Sequence, residues 1–237
     1  MSKASTCFVA EGLGTFALTF IGAGAILTTA FTGGEPGLIG IAFAHGLVLA
    51  IVVSATMNIS GGHINPAVTI TMLVTGRIKP PLAIGYIISQ LVGASVAGFL
   101  LMFIFKSMGE AGAEAIIACK LGTPNLSAAV SPWMGVLIEI ILTFLLVFVI
   151  FGTAVDPRAP KIGGFGIGLA VTVDILMGGP LTGAAMNPAR TFGTLLGGLG
   201  DTADLWSQHW IYWLAPIVGA VLAGVFYDKF LMEHPEQ

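Results

Sequence analysis

Six long apolar stretches limit what this chain can become. They run over about 8–31, 37–57, 82–105, 132–152, 164–179 and 210–227. Their lengths lie close to the ~20 residues a helix needs to cross a hydrocarbon core about 30 Å thick, and the fifth is the shortest. Breakers separate them, among them Gly33-Gly34-Glu35-Pro36-Gly37, Lys79-Pro80-Pro81, Thr123-Pro124-Asn125 and Asp156-Pro157-Arg158-Ala159-Pro160. Charged residues are 9% of the chain and apolar residues 56%, whereas an ordinary soluble domain carries about 25% charge. So few charges cannot coat a surface that faces water, so the surplus apolar surface faces lipid. The run from Phe8 to Phe31 is too long for the core of a signal peptide and contains Glu11, so it reads as a retained first span. The net charge is −3 and no basic stripe exists, which excludes the electrostatic footprint of a nucleic-acid binder.

Six spans put both termini on one side. That side would carry Lys3, Arg77, Lys79, Arg158, Lys161 and Lys229, against Lys106, Lys120 and Arg190 on the other. The excess predicts cytoplasmic termini. Trp133, Trp206, Trp210 and Trp213 all fall near the opposite ends of spans four and six, as an interfacial aromatic belt would. Cys7 and Cys119 fall on opposite faces, so no disulfide is expected between them, and two cysteines form no metal motif. No nucleophile–base pair, metal cluster or phosphate loop emerges. The chain is expected to be no enzyme and to need no cofactor.

Two shorter apolar segments remain, at about 66–76 and 188–198. As helices each would be about 15 Å long, so only two placed end to end would reach across the core. They belong to an internal repeat. Glu11-x-x-x-Thr15-Phe16 matches Glu139-x-x-x-Thr143-Phe144 at an offset of 128 residues. Asn65-Pro66-Ala67 matches Asn187-Pro188-Ala189 at 122, and Gly93-Ala94-x-x-Ala97-Gly98 matches Gly219-Ala220-x-x-Ala223-Gly224 at 126. With three spans per half, the second half enters the membrane from the opposite face. The result is an inverted repeat over about 8–106 and 132–229, within a single membrane channel domain of residues 1–237. The two short segments then dip in from opposite sides and meet near the middle, and the small residues at four-residue spacing let helices pack closely.

Asn is a preferred N-cap residue and Pro a preferred first helical residue, so both Asn-Pro pairs suit helix starts. The side-chain oxygen caps the helix and leaves the NH₂ group as a donor into a lumen. Two facing N-termini each present roughly half a positive charge, which opposes cations and protons. A neutral water can accept from both Asn donors, with its own hydrogens turned away along the pore, and this breaks a proton wire.

Ser60-Gly61-Gly62-His63-Ile64-Asn65-Pro66-Ala67-Val68-Thr69 and Gly183-Ala184-Ala185-Met186-Asn187-Pro188-Ala189-Arg190 resemble the paired signature loops of the aquaporin, or major intrinsic protein, family. The resemblance covers nearly the whole chain. It implies an all-α membrane fold, a right-handed aquaporin-like bundle of six transmembrane helices plus two re-entrant half-helices. It also implies a homotetramer with one pore per subunit. A second constriction is implied on the outer side, built from His45, Ile175, Ala184 and Arg190. That set, with Asp174-Ile175-Leu176 and His209-Trp210-Ile211-Tyr212-Trp213, resembles the tonoplast intrinsic protein branch. Asp174 departs from the branch, which typically has Asn there. An imidazole at position 45, in place of the aromatic of strict water filters, and the small Ala184 predict a wider pore. It would be open to ammonia, hydrogen peroxide or urea as well as water, and closed to protons and ions. The likeness suggests a plant vacuole, while the compact termini suit a prokaryotic plasma membrane equally well.

Acids inside spans are functional candidates by default. Glu11 and Glu139 occupy equivalent repeat positions, which favours support of the non-helical loops over proton carriage, because irregular backbone at membrane depth needs partners. His63 either lines the inner vestibule or ties down its loop. Asp156 to Lys161 either caps the inner mouth or forms a solvated turn. Two other readings compete with the water channel. A glycerol-type facilitator of the same fold would want two bulky aromatics in its filter, and a proton-coupled secondary transporter would need a second conformational state.

Overall fold

The computed structural model describes residues 3–233, so the expectation that His234 is a solvated tail residue lies outside the described part. In chain order the helices are α1 (Lys3–Phe31), α2 (Gly37–Thr56), α3 (Pro66–Val74), α4 (Pro80–Ser107), α5 (Glu110–Cys119), α6 (Pro132–Ile150), α7 (Phe165–Thr182), α8 (Pro188–Gly197) and α9 (Ile211–Phe230). A π-helical turn, Phe151–Val155, prolongs α6, and a 3₁₀ segment, Leu199–Gln208, follows α8. Six of these helices, α1, α2, α4, α6, α7 and α9, are long and apolar enough to span a membrane. The fold is the expected all-α bundle, and among the described residues there is no strand. Large apolar side chains such as Leu13, Ile51, Val92 and Phe103 stand exposed on the bundle's outside, where lipid rather than water accommodates them.

Two elements depart from the sequence reading. Helix α5 lies between the third and fourth spans, where the sequence reading named no element. Its ten residues are too few to register as a span, yet Ala115 and Ile116 pack into a cluster with Leu27 and Leu101. The fifth span, expected to end at 179, continues to Thr182 through Pro180. Pro180 cannot donate to the Leu176 carbonyl, yet the helix runs two residues further and stops at Gly183, whose φ of 81° makes a left-handed cap.

Glycines make the closest helix crossings. A Cβ on Gly93 of α4 would lie 2.0 Å from the Gly12 carbonyl oxygen of α1, and one on Gly219 of α9 would lie 2.3 Å from the Ile140 carbonyl oxygen of α6. Gly98 approaches the Gly193 carbonyl of α8 to 2.1 Å in the same sense, and Gly224 approaches the Thr71 methyl of α3 to 2.2 Å. Each half-helix therefore packs on the last spanning helix of the other half, α8 on α4 and α3 on α9. Both cysteines are free, and Cys7 donates to the Ile59 carbonyl at 3.2 Å.

Ion pairs join segments on a common face. Lys120 meets Asp204 at 3.2 Å and Lys106 meets Asp201 at 3.7 Å on the outer side, while Arg77 meets Asp228 at 2.6 Å on the side of the termini. On that same side Arg158 holds Asp156 at 2.7 Å, Glu233 at 2.8 Å and the Leu231 carbonyl at 2.7 Å. The bonds from Arg158 hold the Asp156 carboxyl well below the usual carboxylate range. A depressed folded pKa stabilises fully above the unfolded value of about 3.9, and the contribution fades as pH falls through the folded value. The melting-temperature difference between wild type and Asp156→Asn in detergent is therefore expected to stay constant between about pH 5 and 8. A difference that changes across that window would contradict this assignment.

Candidate functional site

The two non-helical loops that precede α3 and α8 are built around one carboxylate each. Glu11, fully buried on α1, accepts from the Ser60 hydroxyl at 2.6 Å, the His63 backbone N–H at 2.9 Å and the Ile64 N–H at 2.6 Å. Glu139, fully buried on α6, accepts from the Thr182 hydroxyl at 2.6 Å, the Ala185 N–H at 2.8 Å and the Met186 N–H at 2.9 Å. Tyrosines close each loop from behind: Tyr86 O–H donates to the Ser60 carbonyl at 2.7 Å and Tyr212 O–H to the Thr182 carbonyl at 2.8 Å. The first loop receives a further tie from the Gln90 amide, to Glu11 at 2.8 Å and to Thr69 at 3.0 Å.

These ties hold strained backbone. Ile64 and Met186 have φ of 55° and 51°, and Ala184 has 42°. A left-handed non-glycine residue costs on the order of 1–3 kcal/mol and persists only where its surroundings over-determine it. Here the strain turns the Ile64 and Met186 carbonyls toward the opposite loop. Asn65 caps α3, its Oδ1 accepting from the Ala67 N–H at 2.9 Å, and its Nδ2 donates to the Met186 carbonyl at 2.7 Å. Asn187 caps α8 through the Ala189 and Arg190 N–H groups at 3.1 and 3.3 Å, and its Nδ2 donates to the Ile64 carbonyl at 2.9 Å. The half-helix tips thus brace one another, each amide supplying a donor to the residue just before its counterpart. One Nδ2 hydrogen of each Asn is used in this way, and the second remains. Pro66, Ala67, Pro188 and Ala189 are the buried first turns behind these caps.

A cavity of about 400 Å³ runs past this pair. Asn65, Asn187, His63 and Met186 line it among apolar residues such as Leu49, Val53 and Val171, and it reaches Arg77 and Val155 toward the face of the termini. A second cavity of about 260 Å³ lies on the outer side against Asn125, Pro124 and Gly183. His45, Ile175 and Arg190 border both, so they stand where the two spaces meet. Ala184 borders the first cavity and offers its carbonyl to Arg190 Nη1 at 3.4 Å. His45 Nδ1 donates to the Ile41 carbonyl at 2.8 Å. A carbonyl accepts only, so the proton sits on Nδ1, and Nε2 is left to accept from Arg190 Nε at 3.2 Å. The imidazole is therefore neutral, and the guanidinium keeps donors facing the space between the cavities.

His63 borders the larger cavity, and its Nδ1 lies 3.1 Å from the Thr69 hydroxyl of α3. Asp174 is buried, and among the described residues its Oδ2 receives no hydrogen bond. Sequence reasoning assigned no part to Ser60, Thr182, Tyr86, Tyr212 or Gln90. The first four carried a usable signal, because Ser60 and Thr182 stand 122 residues apart and Tyr86 and Tyr212 stand 126 apart, the offsets of the motifs they serve.

Comparison with known proteins agrees with this construction. The family model described as Major intrinsic protein matches residues 1–227. The chain is 41% identical over 232 residues to Aquaporin TIP4-4 of Zea mays, covering 94% of this chain and 86% of that one. It is 42% identical over 237 residues to Probable aquaporin TIP3-2 of Arabidopsis thaliana, covering 94% and 83%. Among solved structures, the aquaglyceroporin from Plasmodium falciparum superimposes with a TM-score of 0.84 at 26% identity, over 96% of this chain and 97% of that one.

Proposed function

Because this chain belongs to the major intrinsic protein family and is a multi-pass membrane water channel, not an enzyme, we propose that its single domain of residues 1–237 passes water together with ammonia, hydrogen peroxide or urea, and excludes protons and ions. The observation that carries this reading is the pair of braced half-helix tips beside the larger cavity. Each tip presents roughly half a positive charge, and together they oppose any cation at the middle of the membrane. The unused hydrogens of Asn65 and Asn187 are donors to a passing water, which accepts from both and cannot donate back to either. Its hydrogens then face along the pore in opposite directions, and proton hopping stops there.

His45, Ile175, Ala184 and Arg190 form the selective narrowing in this reading. Arg190 repels cations and donates to the permeant, and neutral His45 supplies a small polar wall. Ile175 supplies an apolar wall, and the bare methyl of Ala184 leaves width. The same four residues weigh against the glycerol reading, since none gives a carbon backbone a bulky aromatic surface. Both loops are tied to carboxylates of spanning helices, which weighs against an alternating transporter. The termini are cytoplasmic and the assembly a homotetramer in this proposal.

Proteoliposomes in stopped-flow light scattering test it. Osmotic water flux well above empty vesicles is expected, with a low activation energy, no saturation, accompanying ammonia or urea flux, and no proton current. Water flux without any flux of ammonia, peroxide or urea would overturn the solute range. A proton or cation current would overturn the barrier assigned to the tips.

A further inference from the structure

His45 faces a gap in the helix behind it. A Cβ built on Gly22 of α1 would lie 2.3 Å from His45 Nε2, 2.4 Å from Cδ2 and 2.9 Å from Cε1. The imidazole therefore rests where the first side-chain carbon of any other residue would be. The ring is fixed on its other sides, Nδ1 by the Ile41 carbonyl and Nε2 by Arg190. Next to it on α2, Gly46 is jammed against Thr172 and the Gly168 carbonyl, so α2 cannot draw back. The open side is the lumen, since His45 borders both cavities.

We infer that Gly22 is a positioning residue for permeant size: its missing side chain sets how far the His45 ring stands back from the conducting space. This rests on the proposed role of His45 and Arg190 as the selective narrowing. A methyl at position 22 forces the ring off the Ile41 carbonyl and into the lumen, and frees Arg190 from its Nε bond. Larger solutes then suffer more than water, because pore dimension and lining donors decide which neutral molecules pass.

The test is the ratio of urea and ammonia permeability to water permeability in proteoliposomes. Gly22→Ala is expected to lower that ratio several-fold. Gly24→Ala, two residues along the same helix, is the control, since its Cβ would meet only Leu101 Cδ2 at an ordinary 3.5 Å; it should keep the wild-type ratio. The double variant Gly22→Ala/His45→Ala should show the ratio of His45→Ala alone, because no ring remains to displace. A wild-type ratio in Gly22→Ala, or a double variant as restricted as Gly22→Ala, overturns the inference. Should Gly22→Ala fail to fold, the double variant decides: recovery of folding supports the ring contact, and failure to recover overturns it. A His45→Ala variant with an unchanged ratio overturns instead the role proposed for His45 itself.

Discussion

Replacing Glu139 by alanine is expected to abolish water flux and to lower the yield of folded protein sharply. The carboxylate is fully buried and is the acceptor for two loop N–H groups and the Thr182 hydroxyl. Alanine leaves all three donors in an interior with no substitute. A buried donor left without a partner costs about 1–3 kcal/mol, while a folded domain is stable by only about 5–15 kcal/mol. The damage also spreads, because Met186 would lose the bond that holds its left-handed backbone, and Asn65 would lose its acceptor with it. Glu139→Gln keeps the shape and one acceptor oxygen but aims an NH₂ group at N–H donors, so it should fall between alanine and wild type. Thermal unfolding in detergent and flux in liposomes check both. An alanine variant with native melting temperature and native flux would show that the loop stands without this support.

Replacing Arg190 by valine should have the largest effect on selectivity while leaving the fold intact. Two charges 4 Å apart at an effective dielectric of about 20 interact by ~4 kcal/mol, equivalent to roughly three powers of ten in an equilibrium constant. Removing the guanidinium lifts that share of the barrier to cations and also widens the space between the cavities. The half-helix tips still oppose ions, so the measured cation leak should rise less than this limit, by about tenfold or more. Urea flux should rise with it. Arg190→Lys separates charge from shape, since lysine keeps the charge but cannot make the Nε bond to His45. It should keep cations out while altering the solute ratio. A valine variant with wild-type cation exclusion would remove Arg190 from the barrier.

Much of this architecture was legible because lipid imposes simple rules. Apolar length marked the six spans, and Asn-Pro at matching repeat positions marked where α3 and α8 begin. The acids Glu11 and Glu139 stood out as charges that a span does not carry without cause. The unread parts depend on tertiary contact. The amides of Asn65 and Asn187 were read as donors into a lumen, and each also gives one hydrogen to the opposite loop. That division requires Ile64 and Met186 to be left-handed, and neither residue type advertises such a backbone. The hydroxyls of Tyr86 and Tyr212 close on carbonyls in another element, which no local pattern encodes. Helix α5 packs on α1 and α4, but its ten residues are too few to register as a span and carry no motif that marks it.

The crossed bonds between the loops also constrain the order of events at the ribosome. The first three spans reach the bilayer before α8 has been translated, since a chain is made from its N-terminus. Until then the Asn65 amide lacks the Met186 carbonyl, and the Ile64 carbonyl lacks the Asn187 amide. The early half waits with its re-entrant loop held by Glu11, Tyr86 and Gln90 and without its partner tip. Neither crossed bond can close before α8 exists, so a truncated first half would lack one of the two tips beside the cavity.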